Sequence, residues 1–260
     1  MIKIKIGLLT CALCLSPLAA AFKFQGNVYG SVGNSDLSGF VQVPQGGSNG
    51  STSFERPTLN ELRIVNNHFY TLGTVLQFAQ YDVFFNYTRY APHGNALLKE
   101  TLLTHGKVIP AGAILSTFLK YDYFVFGAGY RFLFEDWTLV PFLQTNFMKF
   151  HYEYDSSPIL GARTFNVTGV NLGLKIGYQF TPFLSGDLRV APPLPVCNFT
   201  QSDIEVGVNK SIPIAPHFNL LPRIAVGMQQ FDYEDNQGVP NHIRIRNAPF
   251  GKASLALTFD

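Results

Sequence analysis

Over long stretches of this 260-residue chain, apolar residues alternate one by one with Gly, Asn, Gln, Ser, Lys and Asp. From Asn166 to Thr181, the residues Val170, Leu172, Leu174, Ile176, Tyr178 and Phe180 fall on one face of an extended strand. Gly169, Asn171, Gly173, Lys175, Gly177 and Gln179 fall on the other. A strand of a soluble sandwich also alternates, but its apolar face must meet a second sheet. Here large residues recur on the apolar side, with glycine and charge on the polar side, in segment after segment. That is the distribution expected when the polar face lines a lumen and the apolar face meets lipid.

Residues 1–21 read as a signal peptide: Lys3 and Lys5 form the basic start, Ile6 to Leu18 the apolar stretch, and Ala19-Ala20-Ala21 the small-residue cleavage site. The mature chain is then expected to be one domain over 22–260. No later stretch reaches the roughly 18 uninterrupted apolar residues of a spanning helix, so a membrane location must come from strands. Lys and Arg number 19 against 17 Asp and Glu, and two of the lysines lie in the export segment, which leaves the mature chain balanced. Nothing in that balance points to nucleic acid. The Cys11-x-x-Cys14 pair is discarded with the signal, and Cys197 reads as an inert loop thiol.

The fold expected is all-β: an antiparallel transmembrane barrel of about ten strands, with eight or twelve as alternatives. The strands are placed at 22–32, 56–66, 71–91, 113–132, 138–154, 166–181, 184–190, 201–211, 218–233 and 249–259. Long connections such as 33–55 and 92–111 alternate with short ones near Asn67, 134–137 and 182–183, which fits long extracellular loops and short periplasmic turns. Segment 191–200, with Pro192, Pro193 and Pro195, cannot be a central strand and reads as a loop. The connections at 155–163 and 234–247 also read as loops. Three strands of 17 to 21 residues exceed the roughly 9 to 11 that cross a membrane, so the barrel should project beyond the outer leaflet. Two aromatic girdles are expected. Phe132, Phe134, Trp137, Tyr178, Phe180, Phe183 and Phe259 would form the lower one, and Tyr87, Tyr90, Tyr121, Tyr123, Phe150 and Tyr152 the upper.

The last segment places Gly251, Ala253, Leu255, Leu257 and Phe259 on one face, followed by Asp260. On these residues the chain resembles Gram-negative outer-membrane β-barrel proteins, whose closing strand alternates and ends in an aromatic residue; here one aspartate follows it. The resemblance implies assembly by the barrel-assembly machinery, contact with outer-membrane lipids, and extracellular loops available to a host or environmental ligand.

Chemistry is sparse. There is no P-loop, H-E-x-x-H or G-x-S-x-G, and no cofactor or metal site is expected. His151, Glu153 and Asp155 alternate on one strand face, with Asp232, Glu234 and Asp235 near the end of another strand. A histidine beside a carboxylate can activate water. In its ten strands reaching above the membrane the chain is similar to the omptin proteases, but it lacks their paired aspartates and Asp-x-His arrangement, so no catalytic residue carries over. The rim charges therefore read as solvated, and His68, His93, His105, His217 and His242 as surface histidines. On predicted lumen faces lie Lys23, Lys175, Asp187, Arg189, Asp203, Glu205, Arg223 and Lys252. Charges in a narrow barrel must pair or stay hydrated, so this set predicts a charge-paired plug. The function expected is a non-enzymatic structural or adhesin-like surface role. A narrow porin-like channel comes second, and a rim hydrolase acting on lipid or peptide third.

Overall fold

A computed structural model describes residues 24–43, 56–64, 66–238 and 240–259. The segment expected as a signal peptide, Lys23, part of the first loop and Asp260 lie outside the described residues.

Ten strands form the wall: β1 (Phe24–Asp36), β2 (Asn66–Phe78), β3 (Tyr81–Tyr90), β4 (Ile114–Tyr130), β5 (Trp137–Ser156), β6 (Ile159–Thr181), β7 (Leu184–Ala191), β8 (Phe199–Lys210), β9 (Phe218–Glu234) and β10 (His242–Phe259). Each pairs antiparallel with the next, and β10 pairs back onto β1 from Phe259↔Gly26 to Phe250↔Ser35, so the sheet closes and leaves no edge. No helix among the described residues is long and apolar enough to cross a membrane.

The two faces follow from the period-2 alternation. Val28, Leu72, Phe126, Leu143, Leu172, Val206, Val226 and Leu255 point outward and are exposed, several of them by more than half of their surface. A continuous apolar belt of this size on a folded surface is made for lipid or a partner, not for water. Its lower edge carries Phe132, Phe134, Trp137, Phe180 and Phe183, as the sequence predicts. Its upper edge differs. Tyr90, Tyr121, Phe150 and Tyr152 are 4% exposed or less and point into the barrel, and Tyr123 shares their inward face. The outward rings at that level are Tyr70, Tyr87, Phe124 and Phe147. Above them stand the charged neighbours Arg89, Asp122 and Lys149, aligned across β3, β4 and β5.

The strand count of ten survives two compensating differences. The segment expected as a strand at 56–66 is a compact turn up to Ile64. Thr58 and Glu61 cap each other there: Thr58 N and Oγ1 both donate to Glu61 Oε2 at 2.8 Å, and Glu61 N donates to Thr58 Oγ1 at 3.2 Å. The segment expected as one strand at 71–91 is two, β2 and β3, joined at Ala79–Gln80, with Ala79 in the left-handed region at φ 52°. The loop expected at 155–163 shrinks to Ser157–Pro158, and β10 begins at His242 instead of Pro249.

The described parts of the first two long loops fold back over the barrel mouth. A short strand, Gly39–Gln42, pairs with β10, and another, His93–Leu97, with β4, while Leu102–Thr104 and Lys107–Ile109 form a hairpin. Gly39, at φ 137°, lies against the Arg244 carbonyl where no side chain fits.

Candidate functional site

The interior has three tiers. The upper one is apolar: Leu37, Leu59, Leu62, Ile64 and Ile109 descend from the loops onto Leu115, Leu119, Phe150, Tyr152 and Tyr154 of the wall, all at 0–1% exposure. Loop-borne aliphatic residues meet wall-borne rings, so burying the loops also fills the barrel.

The middle tier is built of buried amides and phenols. Gln144 Nε2 donates to Asn146 Oδ1 at 2.9 Å, Asn146 Nδ2 donates to Asn171 Oδ1, and Asn171 Nδ2 donates to the carbonyls of Ala191 at 2.7 Å and Gln201 at 2.5 Å. The Tyr123 hydroxyl donates to Gln201 Oε1, and the Tyr90 hydroxyl and the Gln229 amide hydrogen-bond each other. Satisfied polar groups at this depth make a rigid septum; unsatisfied ones would each cost about 1–3 kcal/mol.

The lower tier, toward the short turns, holds the charges. Arg223 grips two carboxylates, with Nη2 2.8 Å from Asp187 Oδ1 and Nη1 2.6 Å from Glu205 Oε1. The guanidinium occupies the space that a side chain at Gly207 would need, and Gly207 is the cross-strand partner of Asp187. Lys252 Nζ reaches Glu205 Oε2 at 2.5 Å, and Asn209 donates to Asp187 at 3.0 Å. Arg189 pairs with Asp203, donates to Gln144 Oε1 at 2.5 Å and lies 4.9 Å over the Phe142 ring. Arg131 pairs with Asp82. Of the eight lumen charges expected from sequence, seven lie among the described residues, and all seven are inward. Six of them join into ion pairs. Lys175 makes no ion pair within 4 Å among the described residues and stands exposed in the lower lumen.

The charges do not by themselves plug the barrel. They surround a cavity of about 330 Å³ that Asn27, Tyr29, Asn86, Ser185, Asn209 and Ser254 also line. The closure lies above it, in the amide septum and the apolar tier. Sequence reasoning missed the loop-derived tier because Leu59, Leu62 and Ile64 read as part of a strand.

The rim histidines are arranged differently from expectation. His151 stays on the outer face, with Nδ1 2.9 Å from Thr164 Oγ1 and Nε2 3.4 Å from an exposed Glu153; Asp155 joins neither. His242 is a buried residue, 3% exposed, and not a surface histidine. Its Nε2 is 2.7 Å from Asp232 Oδ1, its Nδ1 is 3.5 Å from Glu234, and its ring meets Phe40 edge-on at 4.8 Å. Arg244 holds the far oxygen of Asp232 at 2.5 Å. Caught between two carboxylates and a ring, His242 fastens the first loop to β9 and β10.

His105 is likewise packed inward. Its ring lies 4.9 Å from that of Tyr154 and 5.5 Å from that of Tyr152, with Nδ1 2.9 Å from Thr104 Oγ1. Burial, then the charges of Arg163 and Lys107, lower its pKa to about 4. His68, His93 and His217 are exposed. No group of three metal-ligating side chains occurs among the described residues.

No family model and no curated protein matches the chain. Among solved structures it is similar to the outer membrane protease OmpT of Escherichia coli, at 12% identity over 90% of this chain and 96% of that one, with a TM-score of 0.41. It is also similar to the attachment invasion locus protein Ail of Yersinia pestis, at 10% identity over 90% and 97%, with a TM-score of 0.33. A third likeness is to the translocator domain of the autotransporter NalP of Neisseria meningitidis, at 10% identity over 99% and 97%, with a TM-score of 0.43. Likenesses this loose carry no residue correspondence. The chain is a closed ten-stranded antiparallel β-barrel, and these similar solved structures are outer-membrane barrels.

Proposed function

We propose that the protein resides in the outer membrane of a Gram-negative bacterium and works through its outer surface, as a non-enzymatic structural or adhesin-like barrel. One observation carries this reading. The upper lumen is filled by an apolar tier to which both long loops contribute, so the interior is committed to holding the loops in place. The outward apolar belt with its aromatic edges supports the membrane placement. Against a rim hydrolase stands the use of His242 as a clamp under Phe40, and of His151 as a solvated neighbour of Thr164 and Glu153. Against a channel stands the septum of Gln144, Asn146 and Asn171, each at most 1% exposed.

The test is adherence. Cells carrying the protein in their outer membrane should bind epithelial monolayers or immobilised matrix glycans more than cells carrying a version in which 44–55 and 99–112 are replaced by short Gly-Ser linkers. Equal adherence by the two strains, with equal amounts of heat-modifiable barrel in both, would remove the adhesin-like reading.

A further inference from the structure

Among the described residues, the lower lumen holds one more cation than carboxylates. Five cations (Lys175, Arg189, Arg223, Lys252 and Arg131) face four carboxylates (Asp187, Asp203, Glu205 and Asp82). Every one of those carboxylates is already held by a guanidinium or ammonium within hydrogen-bond distance. Lys175 is the one of the five with no ion pair within 4 Å among the described residues, and its side chain is inward yet exposed. An inward residue that stays exposed means a wet vestibule, and the amide septum above makes that vestibule blind.

A blind, water-filled pocket with low-dielectric walls focuses the field of an unpaired charge. Its volume, about 330 Å³, lies at the small end of the range for ligand sites. Neutral donors and acceptors also converge there: the amides of Asn27 and Asn209 and the hydroxyls of Ser185 and Ser254.

We propose that this vestibule binds a compact oxyanion, a carboxylate or phosphate of small-metabolite size, entering from the short-turn end, with Lys175 as its charged partner. Arg223 and Lys252 are occupied by Glu205 and Asp187 and serve as the fixed wall. The outer rim and the loops take no part, so the site is independent of the adhesin-like reading.

The test is isothermal titration of the refolded full chain in detergent with inorganic phosphate and, separately, succinate, at constant ionic strength set with chloride. Saturable one-to-one binding of at least one of the two is expected. Lys175→Gln should weaken it by about tenfold or more, the loss of one charge-assisted contact, and Lys175→Arg should largely restore it. Lys149→Gln, on the outer face, should leave it unchanged. Heat-modifiable gel mobility establishes that each variant is folded. No saturable heat with either anion would overturn the proposal, and so would binding that Lys175→Gln leaves intact or that Lys149→Gln weakens equally.

Discussion

Tyr90 and Tyr121 stack inside the outer half of the barrel, with ring centroids 4.3 Å apart and planes inclined by 19°. Both belong to wall strands, and both point away from the lipid-facing side where aromatic residues of a barrel are conventionally sought. Their stack is part of the apolar tier onto which the loops fold. Ile109→Ala in that tier should destabilise the loop packing by about 2–5 kcal/mol, the usual cost of an emptied aliphatic site. The wall hydrogen bonds should persist. Limited proteolysis should therefore cut the variant in 99–112 before any cleavage in the strands.

Arg223→Ala should be clearly destabilising, because Asp187 loses its guanidinium and keeps the Asn209 amide as its hydrogen-bond partner, while Glu205 keeps Lys252. Arg89→Ala removes a partly exposed pair with Asp122 and should cost much less. Urea titration of the refolded barrels compares the two. The double variant Arg223→Ala/Asp187→Ala should lose less than the sum of the single changes.

The faces of the wall are tested by two neighbours. Leu143 points outward near the middle of the belt, opposite Leu172 on β6, so Leu143→Arg should cost about 2–4 kcal/mol, with a dependence on bilayer thickness. Gly173 points inward against the Phe142 ring, so Gly173→Ala should cost about 1–3 kcal/mol by overpacking, whatever the bilayer. Equal thickness dependence for both would reverse the assignment.

The loop hairpin should loosen in acid. The folded state holds His105 neutral down to about pH 4, whereas the unfolded chain takes up the proton near its ordinary value of 6.5. Protonation therefore favours the opened loop progressively as pH falls below 6.5, and the effect saturates below about 4. The positive neighbours Arg163 and Lys107 and the unpartnered Nε2 give the charged ring no compensation. Amide exchange in 99–112 should accelerate between pH 7 and pH 4.5 after correction for intrinsic rates, and His105→Gln should flatten that response.

Period-2 alternation was enough to reveal the closed barrel and the inward charges of β6 to β10, because a one-residue slip would put Lys175 or Arg189 into lipid. The β2–β3 turn was illegible for a physical reason: Phe78-Ala79-Gln80-Tyr81 contains no Gly, Pro or Asn, and Ala79 takes up a left-handed conformation that its side chain does not announce. The upper tier escaped notice because Leu59, Leu62 and Ile64 gain their burial only from contacts distant in sequence. Tyr90 and Tyr121 show the same limit from the other side, since an inward ring and a girdle ring look alike until the loops are in place. Within the lower lumen, Asp82 and Arg131 were not singled out, whereas the charged residues of β6 to β10 were identifiable one by one. Their partners were not, because Arg223 reaches Asp187 across the gap left at Gly207.

The barrel interior is closed by the septum of Gln144, Asn146 and Asn171, and planar-bilayer recording of the purified, refolded chain reads that closure. A baseline without discrete conductance steps is expected for the wild type across neutral pH, at both polarities. Reproducible, ohmic single-channel steps from the heat-modifiable wild-type barrel would contradict it.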